Sequence, residues 1–152
     1  MNYWRMQLHP DDSANAGFYA NQSIAAGFIG LDFATKVGDL LSDAQQQILS
    51  TQKDYVDFAK NMEVGDKVLI IVHHFPFAVV TVAGDYNYIR RTEPELGVWF
   101  RHFRRIENAI YFSDFQTNAK SWEQYIMTDT ISILRDPGSK SYRLIEQMSE
   151  KT

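Results

Sequence analysis

The chain has 152 residues, a net charge of −4, 45% hydrophobic and 22% charged residues, values that describe one folded domain with an ordinary core rather than a disordered chain. No apolar run approaches the roughly 20 residues of a membrane span, the N-terminal MNYWRMQLHP has no charged-then-apolar leader pattern, and cysteine is absent, so disulfides and thiolate metal sites are excluded and a cytoplasmic location is expected. Aromatics reach 14%, which supplies a core and equally the material of stacking surfaces.

Taken in chain order, NYWRMQL (2–8) predicts a first strand, closed by the turn chemistry of HPDD (9–12). SANAGFYANQSIAAG (13–27) predicts a helix capped by Ser13 and ended by Gly27. FIGLDF (28–33) then predicts a short strand, and Gly30 within it implies a close approach by another backbone or a ligand. SDAQ (42–45) is a capping box, and a second cap, Thr51 with Asp54, precedes KDYVDFAKNM. There Tyr55, Phe58, Ala59 and Met62 fall at helical spacing.

The stretch from 63 to 89 is the most informative. Gly65-Asp66 predicts a tight turn, KVLIIVHH a buried strand, and FAVVTVAG its partner. YNYIRRTEPEL (86–96) has no period and predicts a loop. GVWFRHFRRI (97–106) and NAIYFSDF (108–115) predict two strands joined through Glu107 and Asn108, SWEQYIM a short helix, TISILR a last strand, and YRLIEQMSE (142–150) a polar helix after the loop RDPGSKS. The sum is an α+β domain with five or six strands in a curled, mostly antiparallel sheet and flanking helices.

The motifs of catalysis are not found. His73 and His74 are adjacent, so on a strand they point to opposite faces and cannot chelate one ion together. There is no Gly-x-Ser-x-Gly elbow, no P-loop, and Gly27 with Gly30 lacks the third glycine and the downstream acid of a dinucleotide fingerprint. The expectation is a binding module that is not an enzyme and carries no cofactor or metal. The strongest binding signal is RHFRR (101–105), with Arg90 and Arg91 upstream. On a strand, Trp99, Arg101, Phe103 and Arg105 share one face, an alternation suited to phosphates beside stacked bases. The same alternation also fits a solvated strand whose arginine stems cover apolar neighbours. Arg90, Arg91, Arg101, His102, Arg104 and Arg105 are the candidate backbone contacts.

The order of features carries a resemblance: the aromatic strand YWRMQL, the turn HPDD, the Gly-led GFIGLDF, then VGDKVLI and the Gly-terminated FAVVTVAG. Over residues 2–115 this resembles the PUA-like superfamily, in its EVE and YTH branches. It is most similar to the N-terminal specificity domains of McrB-like type IV restriction proteins. The resemblance implies a PUA-like barrel-like sheet over 1–135, with 136–152 a linker and C-terminal helix leading to a further domain. It implies a reader of methylated double-stranded DNA that flips the modified base into an aromatic cage and works with a further domain or restriction subunits, away from any membrane. Other PUA-like domains read RNA or tRNA, and a small-ligand-binding regulatory domain also fits the composition. By position, the resemblance puts one cage wall at Phe28 or Phe33 and the other at Tyr86, Tyr88 and Leu96. Polar contacts fall at His9 and Asp11, and Asp32 is a further candidate because a carboxylate accepts from an exocyclic amine. Phe28 and Phe33 fit a core equally, and His9 and Asp11 fit a turn and a cap.

Overall fold

The computed structural model describes residues 1–8, 15–31, 38–41, 53–72, 75–111 and 130–150. Its strands are β1 (Tyr3–Gln7), β2 (Phe28–Leu31), β3 (Lys67–Val72), β4 (Phe75–Val82), β5 (Asn87–Tyr88), β6 (His102–Tyr111) and β7 (Ile131–Leu134). The helices are α1 (Ala16–Ala26), α2 (Lys53–Val56, continuing as a π turn over Asp57–Asn61) and α3 (Lys140–Glu150), with a 3-10 turn over Pro94–Leu96. The expected elements SDAQ and SWEQYIM, the cap residues Ser13 and Thr51, and His73 and His74 lie outside the described residues.

The fold class is α+β. Seven strands form a curled, mostly antiparallel mixed sheet, a half-barrel in the order β2-β6-β4-β3-β1-β7 with β5 also on β6. Among the described residues the one parallel pair is β1 with β3, where Trp4 lies opposite Val68 and Met6 opposite Ile70. The near-continuous apolar run of β3 is explained by burial on both faces. Val68, Ile70 and Val72 join the main core with Trp4, Met6, Phe58, Val80 and Ile106. The alternate Leu69 and Ile71 join a second cluster with Tyr3 and Val79. Ile145 and Met148 of α3 complete that cluster. The helix set apart in the sequence as part of 136–152 therefore packs on the sheet and covers its second face.

The motif VGDKVLI owes its form to a buried carboxylate. Gly65 adopts φ +96°, a left-handed turn conformation natural to glycine. This turn brings Asp66, 1% exposed, into the core. Its Oδ2 accepts from the Trp4 indole Nε1 at 2.9 Å and from the Glu63 N–H at 3.0 Å. Its Oδ1 accepts from the Asn2 N–H at 2.9 Å. One side chain thus fixes the start of β1 and the turn before β3, two strands that lie side by side. Deep burial of a carboxylate is tolerated when both of its oxygens accept hydrogen bonds in this way.

The helical stripe before that turn is as expected, with Tyr55, Phe58, Ala59 and Met62 all buried. Its last turn widens, however, and the Met62 N–H reaches back to the Asp57 carbonyl at 2.8 Å. The larger correction concerns β6. The strand expected at 97–106 begins only at His102 and runs on unbroken into the one expected at 108–115, as a single strand through Tyr111; residues 112–115 lie outside the described residues. Asn108, expected in a connection, sits inside it at φ +52°. There the β4 register shifts, with Thr81 opposite Glu107 and Val79 opposite Ile110. This is a bulge at a residue type that tolerates left-handed backbone, and it bends the strand. The bend lets the two halves of β6 serve different neighbours, β2 and β5 before Ile106 and β4 after it.

Candidate nucleic-acid interface

Strand alternation along β6 decides the site. His102, Arg104 and Ile106 point inward, at 0%, 3% and 8% exposure. Phe103, half-buried, and Arg105, exposed, lie on the other face, and Arg101, half-buried and expected to share it, precedes the strand. Phe28 lies opposite Arg105 and Gly30 opposite Phe103 across the β2 ladder. Directly opposed residues share a face, so Phe28 joins the outward set. Its ring meets Phe103 edge-on at 5.5 Å and 83°. The Ile89 N–H donates to the Arg101 carbonyl at 2.9 Å, which places Arg90 and Arg91, both exposed, beside the start of β6. Glu93 sits 3.9 Å from Arg91 Nε with both side chains largely in solvent, a pairing that contributes little.

Gly30 answers to this face. A Cβ there would fall within the ring of Phe100, which is 1% exposed. The close approach expected at Gly30 is therefore made by a side chain of the same protein, the Phe100 ring, which covers Gly30.

Arg104 and His102 do not stand with the other candidate backbone contacts. Arg104 donates through Nε to the Phe58 carbonyl at 2.8 Å, through Nη1 to Gly84 at 3.0 Å and through Nη2 to Ala59 at 3.4 Å. Its guanidinium carbon lies 5.8 Å from the centre of the Phe58 ring. Loss of solvation lowers its pKa, and Asp85 and Asp66 act in the opposite direction. The cation ties the end of the π turn to β6, and its donors point into the protein where no phosphate reaches. His102 lies among three tyrosines, 5.3 Å from Tyr55, 6.0 Å from Tyr86 and 5.2 Å from Tyr88, centre to centre. The Tyr86 hydroxyl bridges its Nδ1 at 2.7 Å and the Leu40 N–H at 3.0 Å. Burial raises the Tyr86 phenol far above its ordinary range, against the contribution of the Leu40 N–H.

The cage residues expected from the resemblance are thus distributed as follows. Tyr86 and Tyr88 come together around His102 on the inner face, Tyr86 buried and Tyr88 half-buried. Phe28 lies on the opposite face of the sheet, so it and the tyrosines cannot be two walls of one pocket. Leu96 is 68% exposed in the 3-10 turn. Trp99, expected to share the arginine face, precedes the strand and packs on Tyr19 of α1 at 4.5 Å. His9, Asp11, Asp32 and Phe33 lie outside the described residues; Asp32 and Phe33 follow Leu31, which ends β2 opposite His102. Tyr55 and Phe100 were missed as contributors. Tyr55 was legible as part of a helical stripe, whereas nothing near Phe100 in the sequence marks it as the partner of Gly30.

Among the described residues, no group of three or more His, Cys, Asp or Glu could hold a metal ion, and no helix is long and apolar enough to cross a membrane. No protein-family model matches the chain, and no curated protein matches it.

Proposed function

We propose that this chain is a non-catalytic nucleic-acid-recognition domain of the PUA-like kind its sequence resembles. The observation that carries the reading is the β6 register, which puts Phe103 and Arg105 on one face with Phe28, just after Arg101 at the start of the strand. Arg90 and Arg91, both exposed, follow Ile89, whose N–H donates to the Arg101 carbonyl. In a chain of net charge −4 this is a focused cationic patch, suited to phosphates at one place rather than to general attraction. Half-buried phenylalanines between the cations offer apolar ring surface to bases.

The finer reading is a methylated base held in an aromatic cage, within the specificity module of a modification-dependent restriction system. It draws on the inner cluster, with Tyr88 as a wall beside His102 and with Asp32 and Phe33 as the residues that follow β2. Extruding a base costs a few kcal/mol, which stacking offsets, and a buried methyl adds about 0.8 kcal/mol. Titrating labelled methylated duplex, unmodified duplex and RNA across salt tests both levels. The double change Arg101→Gln with Arg105→Gln is expected to weaken binding to all sequences alike and to flatten the salt dependence. Tyr88→Ala is expected to remove preference for the methylated probe. Absence of binding to every probe at 50 mM salt, on the order of the lowest used in such titrations, excludes the reading. Equal affinity for methylated and plain DNA excludes the cage and leaves the patch.

A further inference from the structure

Independently of the nucleic-acid reading, we infer that the cleft between the last turn of α3 and the bulge of β6 binds a small organic monocarboxylate with a short apolar body. α3 packs over β3, β1 and β4, and beside its end a cavity of about 530 Å³ opens. Pockets that hold small molecules run from about 300 to 1,000 Å³. β4 lies between β3 and β6 in the sheet and lines the cavity with Val79 and Thr81. Asn108 and Ile110 of β6, Lys67 of β3 and Ser149 of α3 complete it. Val79 is buried in the second core cluster and Ile110 packs against that cluster, so this part of the lining is apolar.

Lys67 makes the site anionic in preference. It is half-buried, directly opposite Thr81 in the ladder, and its Nζ donates to the Ser149 hydroxyl at 2.7 Å. An ammonium has three donors, and this bond uses one. Among the described residues Lys67 has no ion pair, in a chain where 19 acids face 15 lysines and arginines. A cation drawn partly out of water without a counterion is where a carboxylate gains most, because a charge-assisted bond is roughly twice as strong as a neutral one. The Thr81 hydroxyl and the Asn108 carboxamide are further donors on the same cavity.

The surroundings limit the ligand to one negative charge. The C-terminal end of a helix carries roughly half a unit of negative charge, and Ser149 stands in the last turn of α3. Glu107, opposite Thr81, and Glu150, next to Ser149, are both exposed and oppose a second charge. A phosphate group, at about −1.5 to −2 near neutral pH, therefore fits poorly beside one lysine, whereas a carboxylate with an apolar body matches both the cation and the Val79–Ile110 side. The bulge belongs to the same design. Asn108 holds φ +52°, a conformation glycine takes without cost. Non-glycine residues kept in that region gather at ligand sites, and bulges serve there to re-aim a side chain.

An NMR titration of the isotope-labelled protein with isovalerate, its neutral analogue isovaleramide and inorganic phosphate tests the inference. Isovalerate is expected to shift the amides of Lys67, Thr81, Asn108 and Ile110, with a Kd on the order of 1 mM. Isovaleramide and phosphate are expected to bind about tenfold more weakly or not at all. Lys67→Met, which keeps the apolar stem, is expected to weaken isovalerate at least about tenfold, and Asn108→Gly several-fold. Circular dichroism melts establish that each variant is folded. Should Lys67→Met not fold, Asn108→Gly reports instead, since glycine accepts the left-handed backbone. Absence of shifts at these amides at ten times the expected Kd overturns the site, as does a folded Lys67→Met that binds isovalerate unchanged. Where Asn108→Gly reports, unchanged binding by it does the same. Equal binding of the amide, or phosphate binding as tight as isovalerate, overturns the monocarboxylate assignment. The oligonucleotide titrations stand apart from every one of these outcomes, so either reading can fail alone.

Discussion

Arg104 and Arg105 are neighbours in the chain, and the structure assigns them opposite tasks, so exchanging each for an uncharged residue separates folding from binding. In Arg104→Met the two well-formed bonds to Phe58 and Gly84, at 2.8 and 3.0 Å, disappear. The carbonyls they served remain inside the protein. Bonds from a charged donor contribute about 1.5–3 kcal/mol each, the 3.4 Å contact to Ala59 is too long to add much, and the guanidinium over Phe58 adds about 0.5–1 kcal/mol. Against these stands the relief of returning no buried cation to the folded state, together with the apolar fit of the methionine. The net cost is expected at about 3–4 kcal/mol. For a domain of this size that lowers the Tm by roughly 10 °C. Urea unfolding followed by tryptophan fluorescence reads it directly, as a lower midpoint at unchanged slope. Arg105→Met, on an exposed side chain, is expected to stay within about 0.5 kcal/mol of the parent and to lose oligonucleotide affinity. The reasoning is refuted if Arg104→Met unfolds within about 1 kcal/mol of the parent and binds nucleic acid more weakly than Arg105→Met. Arg104 then faces solvent and the inward register of β6 is wrong.

Three further outcomes are expected. Asp66→Ala leaves the Trp4 indole N–H and two backbone N–H groups without their acceptor, and the loss, about 3–5 kcal/mol, is read by the same urea titration. Gly30→Ala drives a methyl into the Phe100 ring and costs about 1–3 kcal/mol; the double change with Phe100→Leu recovers part of it, and additive losses would show that the two sites do not touch. The third concerns alkaline pH. The Tyr86 phenol is raised in the folded protein, so the fold favours its protonated form. The stability this supplies is complete below the unfolded value of about 10 and is lost as pH rises towards the folded value. Chemical-denaturation stability is therefore expected to decline above about pH 10, and less so in Tyr86→Phe, while phenolate absorbance shows a tyrosine titrating later than the rest. An identical alkaline decline in the variant would remove Tyr86 as its cause.

Much of the fold was legible locally. The glycine-aspartate turn, the apolar run of β3 and the helical stripe from Tyr55 to Met62 each follow from a period or a turn chemistry contained in a few adjacent residues. The break expected at Glu107 and Asn108 was misread because a bulge and a connection share the same residue types. What distinguishes them is the presence of a partner strand, and β4 lies more than twenty residues away in the chain. The site was legible as composition, cations alternating with aromatics, and the shared face of Phe103 and Arg105 followed from the period of two, whereas Arg101, expected on it, precedes the strand. The cage did not follow, because Phe28 and Tyr88 come from different strands, and whether they share a pocket depends on their registers against β6.

By itself the sequence determined the α+β class, the curled sheet and a stretch of β6 able to offer arginines and rings together. Which face of β6 looks outward was decided by the tertiary structure. Both faces of that strand carry a cation and an aromatic ring, His102 with Arg104 on one and Phe103 with Arg105 on the other, so polarity alone gives no contrast. The carbonyls of Phe58, Ala59 and Gly84, brought together by the end of the π turn and the loop after β4, supply acceptors that only the inward arginine can reach. That long-range match buries Arg104 and leaves Arg105 to the solvent.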